Sequence, residues 1–311
     1  MTPRQQFEVT AELEGERADL IVSRLAGVTR SVVSNLFAGQ GVGRVDGLPV
    51  RRSDRLEQGD QLWVEIPEPP PGLIPVPMDI RVLFEDRDIA VIDKPSGLVT
   101  HPGSGTTAPT LAAGVLAAWP DIEGVGAPQR WGLVHRLDKD TSGALLIAKT
   151  QVAFEMLTDA MAARRVGRTY RAVCHGLFEF GSGTIDAPIA RDRNHPTTFT
   201  VDATGRPSRT HYERIERWPS ERLTMARVTL ETGRTHQIRV HMASIDHPVV
   251  GDVAYGGRGP EGIDPGRVWL HAETLRFPDL DGTEQAVSSS LPIELRESLA
   301  KLGSGLDGVI G

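Results

Sequence analysis

The sequence predicts an α+β protein whose larger part is a mixed, largely antiparallel sheet. Residues 80–84 and 89–93 are apolar runs on either side of a short polar turn, which is the pattern of a β-hairpin. Further strand-like runs at 168–173, 210–218 and 223–230 follow with turn residues at ordinary spacing. Because strands here succeed strands rather than alternating with helices, the order does not favour a parallel βαβ repeat.

Residues 1–66 are predicted to form a small separate α/β domain. Asp19 is placed to cap a short helix that runs through Leu25, and a second helix begins within 28–31 and continues with apolar residues at helical spacing. Short strands come next, and the last of them lies within 60–66.

A proline-rich stretch at 67–78 is predicted to be the linker that follows. Proline removes a backbone donor and disfavours a central strand, so such a stretch holds an extended, semi-rigid conformation. The larger domain is then expected at 79–302, with helices near 110–119 and from Thr150 to about 166, and a flexible tail at 303–311.

Composition restricts the class of protein. A hydrophobic fraction of 39% and a charged fraction of 24% are typical of a globular chain. No stretch approaches the roughly 20 apolar residues that a membrane span needs. Cys174 is the single cysteine, so an internal disulfide is excluded and a reducing, cytoplasmic location is expected. The N-terminus has no apolar core of a secretion signal.

The most informative stretch is 132–143, which begins apolar, becomes strongly polar and leads into the apolar run 144–148. This pattern predicts a strand, an exposed polar loop and a second strand. Asp138 and Asp140 stand beside Arg136 and Lys139, so positive charge surrounds two carboxylates. A surface turn with several ion pairs would show the same local pattern.

Arginines are concentrated in two places, although the net charge of the chain is -7. One cluster contains Arg164, Arg165, Arg168 and Arg171, and the other contains Arg206, Arg209 and Arg214. The distribution of charge, more than its total, decides where a polyanion binds. No acidic or cysteine partners accompany the histidines at metal-ligand spacing, so no metal site is expected.

The segment HRLDKDTSG at 135–143 resembles the active-site motif of the RluA family of pseudouridine synthases. Its flanks are most similar to the RluD branch, which modifies large-subunit ribosomal RNA. GRTHQIRVH at 233–241 is similar to a second motif of the family. The resemblance implies a pseudouridine synthase fold for the larger domain.

The resemblance also implies roles for individual residues. Asp138 would be the catalytic nucleophile, Arg239 its ion-pair partner, and Tyr170 the aromatic residue that stacks on the target uracil. Arg136 would fill the space that an extruded nucleotide leaves. Further candidate substrate contacts are Arg168, Ile238 and Lys94, the last of which matches a KPxG block beneath the active site.

The N-terminal domain resembles the S4 RNA-binding domain that many family members carry, with Arg30, Arg51 and Arg52 as candidate contacts to the RNA backbone. Arg164 and Arg165 are candidates for the same role in the larger domain. A capping domain that makes no RNA contact is the alternative for the N-terminal part. Residues 247–257 continue the family pattern and are expected to close the sheet.

The reaction that the resemblance implies sets the expected partners. Uridine and pseudouridine are isomers, so the conversion needs no redox cofactor or group donor. RNA, and ribosomal RNA in particular, is the expected partner, and the chain is expected to act as a monomer without a small-molecule cofactor.

Three other functions remain to be weighed. They are a synthase of the same family that acts on tRNA, a non-catalytic RNA-binding or ribosome-assembly protein, and a hydrolase that uses Ser142, His135 and Asp138. The hydrolase is disfavoured because these residues lie close together on one loop and no nucleophile elbow accompanies them.

Overall fold

The computed structural model describes residues 4–28, 30–66, 72–103, 108–260 and 263–303, and it gives residues 30 and 31 by their backbone alone. The chain divides into two units, Met1–Pro71 and Gly72–Gly311. Most of the predicted linker's proline run and nearly all of the predicted tail therefore lie outside the described residues. No helix in the described ranges is long and apolar enough to cross a membrane.

The first unit packs two helices against a small sheet. Its elements are β1 (Arg4–Glu8), α1 (Ala18–Leu25), α2 (Arg30–Ala38), β2 (Val42–Arg44) and β3 (Gln61–Glu65). The described strands pair antiparallel in the order β1-β3-β2. Ile21 and Val22 of α1 pack in one core with Leu62 and Val64 of β3, and all four are fully buried. The strand β1 was not predicted, because most of its side chains are polar and exposed.

The expectation that Asp19 caps α1 is wrong. The helix begins one residue earlier, at Ala18, and Arg17 occupies the N-cap position with an extended backbone. Ala18 is fully buried, so the first turn is held by packing rather than by a capping side chain. Asp19 lies in that first turn, where its carboxylate pairs with Arg17 at 2.9 Å and complements the helix dipole.

The second unit is built on one large sheet. Its strands are β4 (Arg81–Glu85), β5 (Ile89–Lys94), β6 (Ser142–Ala148), β7 (Gly167–His175), β8 (Ser182–Asp186), β11 (Arg209–Trp218), β12 (Leu223–Leu230), β13 (Leu270–Pro278) and β14 (Glu284–Ser288). In the described residues they form a nine-stranded sheet in the order β4-β5-β6-β13-β7-β12-β11-β8, with β14 paired to β13. Of the pairings described, β6 with β13 is parallel and the others are antiparallel. The predicted mixed, largely antiparallel α+β fold is confirmed.

The remaining elements lie on or beside this sheet. They are the helices α3 (Leu111–Ala118), α4 (Gln151–Ala162), α5 (Gln237–Ser244) and α6 (Ile293–Lys301), and the separate strand pair β9 (Ile189–Arg191) and β10 (Phe199–Val201). Alternate residues of β5 and β6 serve two cores. Ile92 and Leu145 pack with α3 on one face, and Val91 and Leu146 pack with α4 on the other.

Thr150 caps α4 as predicted, because its hydroxyl oxygen accepts a hydrogen bond from the Ala153 N–H at 3.4 Å. The predicted helix near 110–119 is α3. Both helices cover the central strands β5 and β6, the second of which follows the polar loop.

The register of the sheet places two distant segments side by side. Gly143 at the start of β6 is paired with Ala272 of β13, and Ala272 is paired with Tyr170 of β7. Gly143 has φ +115, and a Cβ there would lie 2.2 Å from the Ala272 carbonyl oxygen, so the close approach of these strands requires glycine. Tyr170 is thereby brought beside the polar loop that precedes β6.

The polar loop itself differs from the prediction. Residues 132–135 form no strand, and the pairing there is a single bridge between Leu133 and Ile147. Gly132 adopts a left-handed conformation with φ +71, which interrupts an extended segment. The loop is also less exposed than expected, since Leu137 and Thr141 are buried.

Candidate active site

A cleft of about 480 Å³ opens where three segments of the second unit meet. One wall is the loop before β6, a second is formed by the end of α4 and the start of β7, and a third is the turn that leads into α5. The cleft brings together most of the residues predicted for the site, namely Asp138, Arg239, Tyr170, Arg136, Arg168, Ile238 and Arg164.

Asp138 and Arg239 face each other across this cleft. The Asp138 Oδ2 lies 3.5 Å from the Arg239 Nη1, and both side chains are largely buried, with 16% and 11% of their surface exposed. The predicted pairing is therefore present, as a long contact through one nitrogen. Such a contact places positive charge next to the carboxylate while leaving its oxygens accessible from the cleft.

Arg239 makes much closer contacts with a residue that the sequence analysis did not assign to the site. Its Nε and Nη2 donate to the two carboxylate oxygens of Asp252 at 2.6 and 2.8 Å. Asp252 is 1% exposed. Burial by itself lowers the pKa of Arg239, but its hydrogen bonds to Asp252 and the charges of Asp252 and Asp138 raise that pKa above its ordinary value. The guanidinium thus bridges two carboxylates.

Tyr170 lines the cleft beside this pair and is 6% exposed. Its place follows from the register described above, in which it stands two strands away from Gly143. Burial raises the pKa of its hydroxyl, so the neutral phenol is favoured. The cleft therefore offers an aromatic side chain near a carboxylate and a fixed cation.

Comparisons with known proteins agree with this site. A family model described as RNA pseudouridylate synthase matches residues 88–244. An RNA pseudouridine synthase of Mycobacterium bovis is 40% identical over 296 residues, covering 92% of this chain and 94% of the relative. The chain belongs to the RNA pseudouridylate synthase family. Family membership confirms the resemblance that the two motifs indicated, and it makes the protein an isomerase that acts on RNA.

Two further relatives are similar to this synthase over most of its length. The RNA pseudouridine synthase YlyB of Bacillus subtilis is 38% identical over 306 residues, covering 96% of this chain and 99% of the relative. The ribosomal large subunit pseudouridine synthase D of Pseudomonas aeruginosa is 42% identical over 253 residues, covering 81% of this chain and 77% of the relative.

A solved structure supports the fold of this synthase. The human RNA pseudouridylate synthase domain containing 1 superposes with a TM-score of 0.56 at 27% identity, over 69% of this chain and 84% of the human one. Its match agrees with the mixed sheet that places the cleft.

Arg136 lines the cleft of the synthase and is exposed. Its Nη1 lies 3.2 Å from the His101 Nε2, while the His101 Nδ1 lies 3.0 Å from the Pro102 carbonyl oxygen. Since a carbonyl can only accept, Nδ1 carries the proton and Nε2 accepts from Arg136. Burial and the charges of Arg130 and Arg136 lower the pKa of His101, which favours this neutral form. His101 was not among the residues predicted from the sequence.

Arg168 is a buried cation in the cleft wall, with 5% of its surface exposed. Its Nη2 donates to the Glu231 carbonyl oxygen at 3.5 Å, and its Nε has no hydrogen-bond partner among the described residues. Burial lowers its pKa. A Cβ on Gly233 would lie 2.4 Å from its Nη1, so the absence of a side chain there makes room for the guanidinium. An incompletely partnered buried cation favours an anionic or carbonyl-bearing ligand.

Lys94 does not line the cleft, so its assignment as a substrate contact is corrected. It is fully buried, and its Nζ donates to the carbonyl oxygens of Pro95 at 2.8 Å and Lys139 at 3.0 Å. The side chain supports the polar loop from behind, because its Nζ is hydrogen-bonded to the loop backbone.

The remaining predicted RNA contacts are placed as follows. Arg164 lines the cleft and pairs with Glu231, whereas Arg165 is exposed but is not part of the cleft wall. Arg51 and Arg52 are exposed on the first unit, and the Arg52 Nη1 donates to the Ser34 hydroxyl at 3.0 Å. The side chain of Arg30 lies outside the described residues.

The contribution of residues 252–255 to the site was also not predicted from the sequence. Their expected role was to close the sheet, but Tyr255 lies under the Arg239 guanidinium, 5.0 Å from ring centroid to Cζ. The Tyr255 hydroxyl is 2.8 Å from the His236 Nδ1 and accepts from the Phe199 N–H at 2.9 Å. No periodicity marks such contacts, although His236 belongs to the GRTHQIRVH motif that was recognised.

The hydrolase alternative is not supported by the geometry. The Ser142 hydroxyl lies 2.8 Å from the His271 Nδ1 and 2.9 Å from the Arg267 Nη2, away from His135. His135 instead accepts a hydrogen bond from the Leu146 N–H at 3.0 Å through Nε2. Ser142 and His135 thus serve the packing around β6. Within the described ranges, no group of three or more His, Cys, Asp or Glu side chains is arranged to hold a metal ion.

Proposed function

We propose that this synthase converts uridine to pseudouridine in large-subunit ribosomal RNA, with Asp138 as the nucleophile. The contact of Asp138 with Arg239 in a nucleobase-sized cleft is the observation that carries this proposal. The ribosomal target is supported by the relatives from Pseudomonas aeruginosa and from Xanthomonas campestris, both named ribosomal large subunit pseudouridine synthase D. The Xanthomonas relative is 38% identical over 96% of this chain.

The reaction rearranges bonds within one nucleotide. The Asp138 carboxylate donates an electron pair in the covalent step, and the bond between the sugar C1′ and the uracil N1 breaks. The detached uracil turns within the cleft and rejoins the sugar through C5, which loses its proton while N1 gains one. The covalent bond to Asp138 breaks before the product leaves, so the carboxylate is restored with its electron pair. Reactant and product are isomers, so the proposal includes no cofactor or co-reactant.

Arg239 supports this step by its charge. A carboxylate in a largely buried site loses hydration, and a guanidinium nearby offsets that cost. Because the Asp138 Oδ2 contacts a single guanidinium nitrogen at 3.5 Å, the carboxylate is stabilised without being fully occupied. The arrangement therefore suits a nucleophile better than a bidentate ion pair would.

The other cleft residues bind the extruded nucleotide. A uridine in folded RNA must leave its helix to reach Asp138, at a cost of a few kcal/mol. We assign Tyr170 to stack on the uracil, Arg136 to fill the vacated space, and Arg168 to contact the nucleotide, with Ile238 as an apolar wall. Arg164 and Arg165 are assigned to phosphates beside the cleft.

We propose in addition that the first unit is an S4-like RNA-binding module. Two helices followed by strands support this assignment, and Arg51 and Arg52 are exposed for phosphate contact. We also propose that the synthase acts as a monomer in the cytoplasm. Its one cysteine, Cys174, is a buried free thiol, which agrees with a reducing compartment.

Mapping pseudouridines in ribosomal and transfer RNA tests the proposed function. Cells that lack the synthase should lose pseudouridine at specific large-subunit positions, and the wild-type chain should restore them where Asp138→Asn does not. Losses confined to tRNA would refute the ribosomal target. An unchanged map in both RNA classes would refute the function itself.

A further inference from the structure

The closest partner of the Arg239 guanidinium is Asp252, which is not the residue expected to act on the substrate. The Asp252 carboxylate accepts hydrogen bonds from Nε and Nη2 at 2.6 and 2.8 Å, whereas Nη1 lies 3.5 Å from the Asp138 Oδ2. A guanidinium that is bound along this edge by two parallel hydrogen bonds has a fixed plane. The direction in which Nη1 points is thus set by Asp252.

The short helical turn that carries Asp252 also holds the face of the guanidinium. Tyr255 belongs to the same turn and places its ring 5.0 Å from the Arg239 Cζ, within range for a cation–π contact. The Tyr255 hydroxyl is anchored in turn to His236 at 2.8 Å and to the Phe199 N–H at 2.9 Å. One turn therefore fixes both the edge and the face of Arg239.

The backbone around Asp252 leaves this turn little freedom. The Asp252 N–H donates to the Val249 carbonyl at 3.1 Å, and the Asp252 carbonyl accepts from the Gly257 N–H at 2.8 Å. A Cβ at Gly251 would lie 2.0 Å from the Arg267 carbonyl oxygen, and one at Gly257 would lie 1.9 Å from that of Val249. Both positions thus require glycine, and the carboxylate they position is 1% exposed.

We propose that Asp252 is a positioning residue of the reaction, which holds the Arg239 guanidinium so that only Nη1 faces Asp138. A free guanidinium would form a bidentate pair with the nearest carboxylate and would occupy both oxygens of the nucleophile. Asp252 prevents this by taking the bidentate edge, so that Asp138 keeps an accessible oxygen beside a fixed positive charge. The inference rests on the proposed role of Asp138 as nucleophile.

Asp252→Asn tests the inference because it keeps the shape of the side chain and removes its charge. On large-subunit ribosomal RNA transcribed in vitro, kcat should fall about tenfold or more while KM stays within about twofold. The matched control is Glu273→Gln, which takes the carboxylate from another buried arginine, Arg171, outside the cleft. This control should lower the melting temperature without changing kcat by more than about twofold.

A double-mutant cycle with Arg239→Leu separates positioning from general stability. If Asp252 acts through Arg239, then adding Asp252→Asn to Arg239→Leu should change kcat by less than about twofold. Where Asp252→Asn alone fails to fold, the comparison of Arg239→Leu with the double variant still tests the inference, because a loss of kcat in a background without this guanidinium would show that Asp252 acts by another route. Single-turnover rates followed over hours give the required sensitivity.

Two results would overturn the inference. One is a folded Asp252→Asn variant with the kcat of the wild type, and the other is an equal loss of kcat in both backgrounds of the cycle. Failure of the proposed function would look different, since the wild-type chain would then form no pseudouridine or Asp138→Asn would remain active.

Discussion

The phenol of Tyr170 presents two groups to a bound uracil, a ring face and a hydroxyl. The side chain lines the cleft and is 6% exposed. Because burial raises the pKa of the hydroxyl, its anionic form is disfavoured at neutral pH, and its use as a base would carry an energetic cost. Stacking of a base on an aromatic ring contributes roughly 1–3 kcal/mol. The ring should therefore contribute more to substrate binding than the hydroxyl.

Replacing Tyr170 by Phe and by Leu separates these contributions. Tyr170→Phe should bind RNA with the wild-type Kd, since it keeps the ring, whereas Tyr170→Leu should weaken binding by about 1–3 kcal/mol. Titration of labelled RNA measures both, and thermal melting confirms that each variant is folded. Equal weakening by Phe and Leu would show that the hydroxyl, not the ring, holds the substrate.

At this scale, motif resemblance predicted Asp138, Arg239 and Tyr170, and the structure brings all three to one cleft. Asp252 and His101 escaped prediction for a physical reason. Each acts by contacting another side chain through a tight turn, and neither has periodic neighbours or a chemically unusual context in the sequence. Lys94 was predicted to contact the substrate. It is buried instead, and its Nζ contacts the loop backbone.

At the scale of elements, the loop that carries Asp138 is held from behind by the segment that follows β5. The Thr100 hydroxyl donates to the Leu137 carbonyl at 2.6 Å, and the Ser96 hydroxyl donates to the Asp140 carbonyl at 3.1 Å. Lys94 completes this support by donating to the Lys139 carbonyl at 3.0 Å. Side chains therefore satisfy the carbonyls that a strand partner would otherwise satisfy, which explains how the loop is ordered without the predicted preceding strand.

The buried amine of Lys94 should make stability depend on pH. Burial, together with the charge of Arg267, lowers the pKa of Lys94 from 10.5 to about 7. Between these values the unfolded chain binds the proton more tightly, so stability should rise with pH by up to about 1.4 kcal/mol per unit. Below this window both states are protonated and the dependence from this group disappears.

Lys94→Met removes this titration and keeps an unbranched apolar side chain. The free energy of unfolding of the wild type, relative to Lys94→Met, should increase as the pH is raised from about 7 to 9. Urea denaturation at successive pH values measures the difference. Parallel curves for the two proteins would mean that the folded state does not suppress protonation of this amine.

In the molecule as a whole, the positions of the arginines matter more for RNA binding than the net charge of -7. The cleft is lined by Arg130, Arg136, Arg164, Arg168, Arg234 and Arg239. Burial lowers the pKa of Arg234, and the positive charges of Arg206 and Arg168 nearby lower it further. A cleft with such a concentration of cations attracts phosphate even on a protein that is acidic overall.

The double variant Arg164→Gln/Arg165→Gln tests whether this charge contacts RNA. Each phosphate contact that is lost should reduce the slope of the logarithm of the RNA-binding constant against the logarithm of the salt concentration by about 0.7–0.9. Titrations at several salt concentrations measure the slope. The control is Arg276→Gln, which neutralises an exposed arginine of β13 outside the cleft and should leave the slope unchanged. A slope that is unaffected in the double variant would contradict phosphate contact at these positions.

The mixed antiparallel sheet and the family could be predicted from the sequence, because strand succession and two long motifs are local signals. The meeting of the segments around Asp138 and Arg239 could only be inferred by resemblance. It depends on a parallel pairing of β6 with β13 and on glycine at 143, neither of which a local pattern encodes. The short strand β1 was missed because its polar, exposed side chains give no local signal and its pairing with β3 is long-range.

The proposed reaction depends on the carboxylate of Asp138, and Asp140 on the same loop provides a matched control, since it is a carboxylate outside the cleft wall. The decisive measurement is pseudouridine formation on large-subunit ribosomal RNA by Asp138→Asn and Asp140→Asn, with RNA affinity and melting followed in parallel. Asp138→Asn should form no pseudouridine while it still binds RNA and melts as the wild type does, and Asp140→Asn should remain active. Turnover by Asp138→Asn at the wild-type rate would show that Asp138 is not the nucleophile.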